Sequence, residues 1–342
     1  MAEASGTNQG ERLIFLVGAP RSGTTLLQRM LQRHPDIGSH PEPHLVTPLA
    51  HLGVWANVER APYDHINAAE AQRQFVAALP GGEQDYWAAC RAYLDILYGR
   101  MLDKLGTRYF LDKTPAYALV LPFLVKVYPR ARYLVLTRHP LAVFCSYANS
   151  FFEGDAEQAV AFNDILGRYL PAIAEFLRRP DIEKHHLRYE RLVQEPEREL
   201  AGCFDFLALP DHPQAVEYGA EQGPAGGYGD PKVRHHTRPT ADSLEAWAAD
   251  LAADEGKRRL AERVLAPIAP ADIAAWGYDK RRLFEPLGRA AGKKSEPSLR
   301  WRLDSYRLQR KVFLGLRRNI HRNRLGRLVR RVRYYCDVLL RE

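Results

Sequence analysis

Apolar and polar positions alternate along this chain in blocks that change period. Leu13 to Val17 are five apolar residues in a row, the pattern of a central strand buried on both faces. Gly18 and Gly23 bracket a short loop, after which Thr24, Thr25, Leu26, Leu27, Met30 and Leu31 begin an amphipathic helix. The same strand-to-helix change recurs downstream. Strands are predicted near 13–18, 108–112, 132–138 and 184–189, and helices over 23–34, 116–128, 140–152, 156–178 and 190–207. Strands that alternate with helices predict an α/β fold, a mostly parallel sheet flanked by crossover helices. The stretch from Ala50 to Lys104 is alanine-rich and holds Trp55, Tyr63, Phe75, Tyr86, Trp87, Tyr93 and Tyr98. It reads as helices laid over one side of the sheet that line a substrate pocket, although aromatic residues at helical spacing are more often plain core. Residues 210–240 are rich in glycine and proline and read as a mobile lid.

The first loop, Gly18-Ala19-Pro20-Arg21-Ser22-Gly23, has the spacing of a P-loop. Its backbone N–H groups, with the positive end of the helix that follows, suit a phosphate-sized anion. Thr24 stands where a Walker A sequence has the lysine that meets a triphosphate, and the positive charge has moved to Arg21. The second junction, Arg132 to Ser146, ends its strand in Arg138, where many P-loop enzymes place a magnesium-binding aspartate. Both departures argue against an ATP- or GTP-dependent kinase. An atypical nucleotide kinase nevertheless stays as an alternative on these motifs alone.

The run Pro20-Arg21-Ser22-Gly23-Thr24-Thr25 after a strand resembles the 5′-phosphosulfate loop of sulfotransferases, enzymes that use 3′-phosphoadenosine 5′-phosphosulfate (PAPS). With arginine in the loop, it looks most like the tyrosylprotein-sulfotransferase branch and its bacterial relatives. That resemblance implies a P-loop-like fold in which Arg21, Ser22, Gly23, Thr24 and Thr25 bind the sulfonate and phosphate. It implies that Arg138, and Ser146 eight positions on, read the 3′-phosphate. Arginine suits that task because its fork donates two charge-assisted hydrogen bonds. Glu42, in Pro41-Glu42-Pro43 between His40 and His44, matches the glutamate that serves the branch as catalytic base; His44 competes, since other branches use histidine. Lys113, in Asp112-Lys113-Thr114-Pro115, matches the lysine at the bridging oxygen. Tyr189, in Arg188-Tyr189-Glu190, matches a nucleotide contact. Arg238-Pro239 stands where the branch has Lys-Pro in a late loop that closes over the nucleotide, here Gly229 to Pro239. The branch carries a further arginine four residues after Ser146; this chain has Ser150 there. The motifs run in the family's order from residue 13 to Tyr278. They imply in-line transfer to a hydroxyl acceptor (tyrosine or phenol, sugar or small alcohol) without a metal.

Composition and charge add three points. The 342 residues, 46% hydrophobic, suffice for one large domain with an appendage. The organisation expected is a flexible 1–12, an enzyme domain over 13–280 and a tail over 281–342. Cys90, Cys145, Cys203 and Cys336 are scattered without a CxxC pair, and the twelve histidines show no spaced ligand set, so neither a disulfide framework nor a zinc site is expected. The polar start MAEASGTNQGER and the short apolar run after it predict no signal sequence, and no run approaches a membrane span. The expectation is a cytoplasmic protein, unlike the Golgi-anchored members of the resembled branch.

Charge is concentrated at one end. Lys280 to Glu342 holds twenty Lys/Arg and five Asp/Glu, net +15, whereas the preceding 279 residues hold 29 and 36, net −7. Phe313, Leu316, Ile320, Leu325, Leu328, Val332, Tyr335 and Leu339 recur mostly at three- and four-residue steps. They predict helix over about 306–340 with one apolar face among arginines. Packing on the body or on a second subunit as a homodimer, lying peripherally on an anionic membrane, and capturing a polyanion all fit this pattern. A non-catalytic polyanion-binding protein is the alternative that the tail alone supports. If the tail is a membrane anchor, the chain sediments with anionic but not neutral liposomes, and salt or deletion of 306–342 abolishes this. No sedimentation with either vesicle rejects the anchor.

Overall fold

In the computed structural model, residues 9–40, 42–50, 72–219, 237–241 and 244–290 are described, together with Leu328 and Val332. Five strands form one sheet: β1 (Leu13–Val17), β2 (Ile37–Ser39), β3 (Tyr109–Asp112), β4 (Arg132–Thr137) and β5 (Lys184–Arg188). Their order is β2-β3-β1-β4-β5, and every pairing is parallel. The α/β reading therefore holds. The four expected strands end within one residue of their predicted limits, and β2 is an additional edge strand.

β1 lies in the middle and is buried throughout. Its alternate residues serve two cores. Ile14 and Leu16 pack with Leu27, Met30, Leu31, Leu192, Leu200 and Phe204 from the helices α1 (Thr24–Leu31), Tyr189–Gln194 and Pro196–Phe206. Phe15 points to the opposite face, where its ring meets Tyr98, Tyr117, Tyr128 and Tyr133 at centroid distances of 5.8–6.4 Å. Most of the aromatic residues of the 50–104 stretch that the structure describes are core or half-buried: Trp87 and Tyr98 are buried, whereas Phe75 and Tyr93 are exposed. Trp55 and Tyr63 lie outside the described residues.

Three predicted helices are broken, each for a local reason. The expected 156–178 splits into Ala156–Phe162 and Ile165–Arg178, because Asp164 turns back to accept the Gly167 N–H as a fresh N-cap at 2.8 Å. The expected 190–207 splits at Glu195, whose backbone leaves the helical region at φ −131° and ψ 56°, before Pro196, which has no N–H to continue the first helix. Pro115 to Leu119 is a 3-10 turn, and the α-helix there is Leu121–Val127, with Pro122 in its first turn.

The chain divides into a compact unit of 1–58 and 66–294 and a second of 59–65 and 295–342. The described helices of the first unit continue through Ala246–Ala253, Glu255–Leu265, Pro270–Ala275 and Glu285–Ala290. In the second unit Leu328 and Val332 are helical and more than half exposed. The rest of the predicted tail helix, Cys336 and most of the predicted lid lie outside the described residues. Among the described residues, no helix is long and apolar enough to cross a membrane.

Candidate active site

A parallel sheet points all its carboxyl ends to one edge, and ligands of such sheets bind there. Every candidate residue before position 200 except Ser146, which lies within the helix Pro140–Phe151, follows a strand end at this edge. The loop with Arg21 follows β1, Glu42 and His44 follow β2, and Lys113 follows β3. Arg138 follows β4, and Tyr189 follows β5.

The β1 loop is tight because its glycines leave no room for side chains. A Cβ on Gly18 would lie 2.6 Å from the Thr24 methyl and 2.9 Å from the Leu136 carbonyl oxygen. Gly23, at φ +94°, is left-handed, and a Cβ there would come within 2.3 Å of the Tyr189 ring. Arg21 also has positive φ, 71°, a strained conformation for a residue with a side chain and one that collects at functional sites. Ser22 is buried, and both its N–H and its hydroxyl donate to the Ala19 carbonyl, at 3.1 and 2.7 Å. Ser22 therefore braces the loop from within. The N–H groups of Gly23, Thr24 and Thr25 have no protein acceptor among the described residues, so they are the donors left for an anion at the start of α1.

The nucleotide-reading candidates stand together. The Arg138 guanidinium lies 4.2 Å over the Tyr189 ring, a cation–π contact, and its Nη1 donates to the Arg21 carbonyl at 3.2 Å. Its Nε is buried without a partner among the described residues, an unmet donor of the kind an anionic ligand satisfies. Arg21 Nε donates to the Ser146 hydroxyl at 3.2 Å and so ties the loop to the helix Pro140–Phe151. Arg238 stands apart: its guanidinium binds Glu197 and Glu217, and none of its described contacts reaches Arg138, Ser146 or Tyr189.

The two candidates for the reacting end, Glu42 and Lys113, meet in the fold. Lys113 Nζ donates to Glu42 Oε1 at 2.5 Å, and His44 Nε2 lies 3.7 Å from the other carboxylate oxygen. Lys113 is 1% exposed and Glu42 14%, against 44% for His44. Glu42 thus sits deeper than its histidine rival and directly against the lysine.

Sequence reading missed the supports of this edge. Glu190 accepts the His139 N–H at 2.9 Å and the Tyr278 hydroxyl at 2.5 Å, and Trp276 Nε1 donates to the Arg138 carbonyl at 2.8 Å. His139 stacks on Trp247 at 4.3 Å; burial, and then Arg188 and Arg138, push its pKa down to about 3, so the ring is neutral. These partners lie 51 to 138 positions apart in sequence, and no local signal joins them.

Beneath Lys113, Asp112 is wholly buried and accepts from Tyr98, Thr114 and Tyr117 hydroxyls at 2.7, 2.9 and 3.2 Å. Burial raises its pKa to about 6, and the three hydroxyls oppose that rise only partly. A carboxyl that holds its proton more tightly when folded contributes stability below its unfolded value near 3.9, and this is lost as pH rises through 6. Asp112→Asn should remove that pH-dependent component, about 3 kcal/mol by the shift. Urea melts from pH 4 to pH 7 check this, and identical pH slopes in both proteins would refute it.

The chain is 32% identical over 270 residues to the nodulation protein NoeE of Sinorhizobium fredii; this covers 71% of the chain and 61% of NoeE, less than two thirds of that relative's length. It is 27% identical over 284 residues to protein-tyrosine sulfotransferase 1 of Danio rerio, covering 80% of the chain and 74% of that protein. Among solved structures, the sulfotransferase domain from the curacin biosynthetic pathway aligns with a TM-score of 0.47 at 23% identity, over 74% of the chain and 96% of the domain. The model of the sulfotransferase family matches residues 13–213, more than half of the 342 and every strand of the sheet, and the chain belongs to that family.

Proposed function

We propose that this protein transfers the sulfuryl group of PAPS to a hydroxyl acceptor by in-line displacement, with Glu42 as general base. The observation that carries the reading is the Lys113–Glu42 contact of 2.5 Å at the sheet edge that also holds Arg21 and Arg138. The unmet Arg138 Nε and the three N–H donors of Gly23, Thr24 and Thr25 fit a nucleotide with phosphate at both ends. When bound, PAPS supplies an activated sulfuryl group and a phosphate leaving group.

The chain's own residues then divide the work. Gly23, Thr24 and Thr25 N–H groups and the Arg21 guanidinium hold the sulfonate and the 5′-phosphate. Arg138 and Ser146 read the 3′-phosphate, and Tyr189 lies along the nucleotide. Lys113 neutralises charge that grows on the leaving oxygen, and Glu42 removes the acceptor proton as the new sulfur–oxygen bond forms. The free protein adds one consequence. Lys113 Nζ serves Glu42 until an anion competes for it, so nucleotide binding loosens the pair and leaves the carboxylate ready to take a proton. His44, at 3.7 Å, contacts the other oxygen of the same carboxylate.

The test is incubation with radiolabelled PAPS and a panel comprising a tyrosine peptide, a simple phenol, an oligosaccharide and an aliphatic alcohol. Label in at least one product supports the reading, and label in none overturns it. Arg21→Ala and Lys113→Ala should each slow transfer and weaken 3′-phosphoadenosine 5′-phosphate binding. Unchanged calorimetric affinity in both would remove them from the phosphosulfate site.

A further inference from the structure

The loop that carries Glu42 leaves β2 and ends at the short helix Val46–Ala50, and both of its ends are fastened to β3 or the residues just after it. At the first end, the Ser39 hydroxyl donates to the Leu111 carbonyl at 2.7 Å. At the second, the Val46 N–H donates to the Tyr117 hydroxyl at 3.1 Å, and that hydroxyl donates onward to Asp112 at 3.2 Å. Asp112 is the residue before Lys113. One phenol oxygen therefore joins the backbone four residues after Glu42 to the carboxylate beside Glu42's own partner. Tyr117 is 2% exposed and its ring is held against Phe15, so the oxygen has little freedom to move. His44, between the two ends, is left-handed at φ 53°, a bend that the anchors on either side hold in place.

We propose that the Tyr117 hydroxyl, seated on Asp112, is a positioning group for catalysis: it sets the height of the Glu42 loop so that the carboxylate meets Lys113 and the acceptor hydroxyl. The proposal rests on Glu42 being the base. It assigns Tyr98, which donates to the same Asp112 oxygen at 2.7 Å and makes no hydrogen bond to the loop among the described residues, a purely structural part.

Two hydroxyl deletions separate these roles. Tyr117→Phe should lower transfer from labelled PAPS, to whichever panel acceptor gives most product, roughly ten- to hundredfold, with nucleotide affinity within twofold. Placed in Glu42→Gln, the same change should cost less than twofold, because a group that acts through Glu42 has nothing left to position. Tyr98→Phe should leave turnover within twofold of the parent. Hydrogen exchange on the whole chain adds a readout independent of activity. The Val46 amide should exchange at least tenfold more slowly than that of Leu45, and Tyr117→Phe should remove this protection while β3 amides keep theirs. Equal losses in both Glu42 backgrounds, equal losses from Tyr98→Phe and Tyr117→Phe, or equal Val46 and Leu45 exchange in the parent protein each overturn the proposal. Near-normal transfer by Glu42→Gln overturns the base assignment, and the proposal with it, while the exchange result still reports whether the clamp exists.

Discussion

Glu42→Gln is expected to lower sulfuryl transfer by roughly 10²–10⁴-fold, the range over which a positioned general base acts, while nucleotide affinity stays close to that of the parent. The amide keeps the size of the carboxylate and can still accept a hydrogen bond from Lys113 Nζ, so the site keeps its shape. What it cannot do is take a proton. The prediction separates Glu42 from His44, because the two lie 3.7 Å apart and can face the same acceptor. Their burial differs, 14% against 44% exposed, and the deeper group is the one in contact with Lys113. Single-turnover rates for Glu42→Gln and His44→Ala decide between them. Near-normal rates in the first and a collapse in the second would transfer the role to the histidine.

The second large effect concerns nucleotide choice. 3′-Phosphoadenosine 5′-phosphate should bind far more tightly than AMP or ATP, because Arg138 and Ser146 have no counterpart charge to read on AMP, and the β1 loop lacks a lysine for a triphosphate. Losing one charge-assisted contact costs about 1.5–3 kcal/mol, or roughly ten- to hundredfold in Kd. Arg138→Ala should bring the two nucleotides close to equal affinity. The structure sharpens this expectation, since the buried Arg138 Nε has no acceptor among the described residues and the guanidinium is held over Tyr189 at 4.2 Å. Calorimetry with the parent protein is decisive: equal affinity for AMP and the 3′-phosphorylated nucleotide would sink the PAPS reading.

Both effects depend on a set of residues that local sequence identified and distant packing arranged. β1, β3, β4 and β5 were legible because each is an apolar run flanked by turn residues, and because a strand buried on both faces needs no partner to declare its period. Glycine at 18 and 23 was legible for a similar reason, since a loop that tight admits no side chain. Gly23 met its constraint from an unexpected quarter, the Tyr189 ring that a Cβ would strike at 2.3 Å. β2 was not legible. Ile37-Gly38-Ser39 is three residues long with one large apolar side chain, and it becomes a strand only because β3 offers it an edge.

Within the site, the identity of Arg21, Glu42, Lys113, Arg138, Ser146 and Tyr189 came from motif and order, and what each touches came from the fold. Sequence places Glu42 and Lys113 71 positions apart, and only the parallel pairing of β2 with β3 brings their strand ends side by side. Arg238 was likewise named from its place in a late loop, and its partners among the described residues, Glu197 and Glu217, came from the fold. The same division applies to helix ends. Apolar period predicted continuous helices over 156–178 and 190–207, but the Asp164 cap and Pro196 break them, because a backbone donor satisfied by a side chain, or absent altogether, outweighs a continued apolar stripe. Sequence by itself determined which residues are strand, loop or helix wherever a backbone hydrogen bond or a buried face is decided within a few positions. Tertiary structure alone decided which of those residues meet, because contacts such as Tyr117 with Val46, or Glu190 with Tyr278, exist only once the parallel strands have placed five loops at one edge.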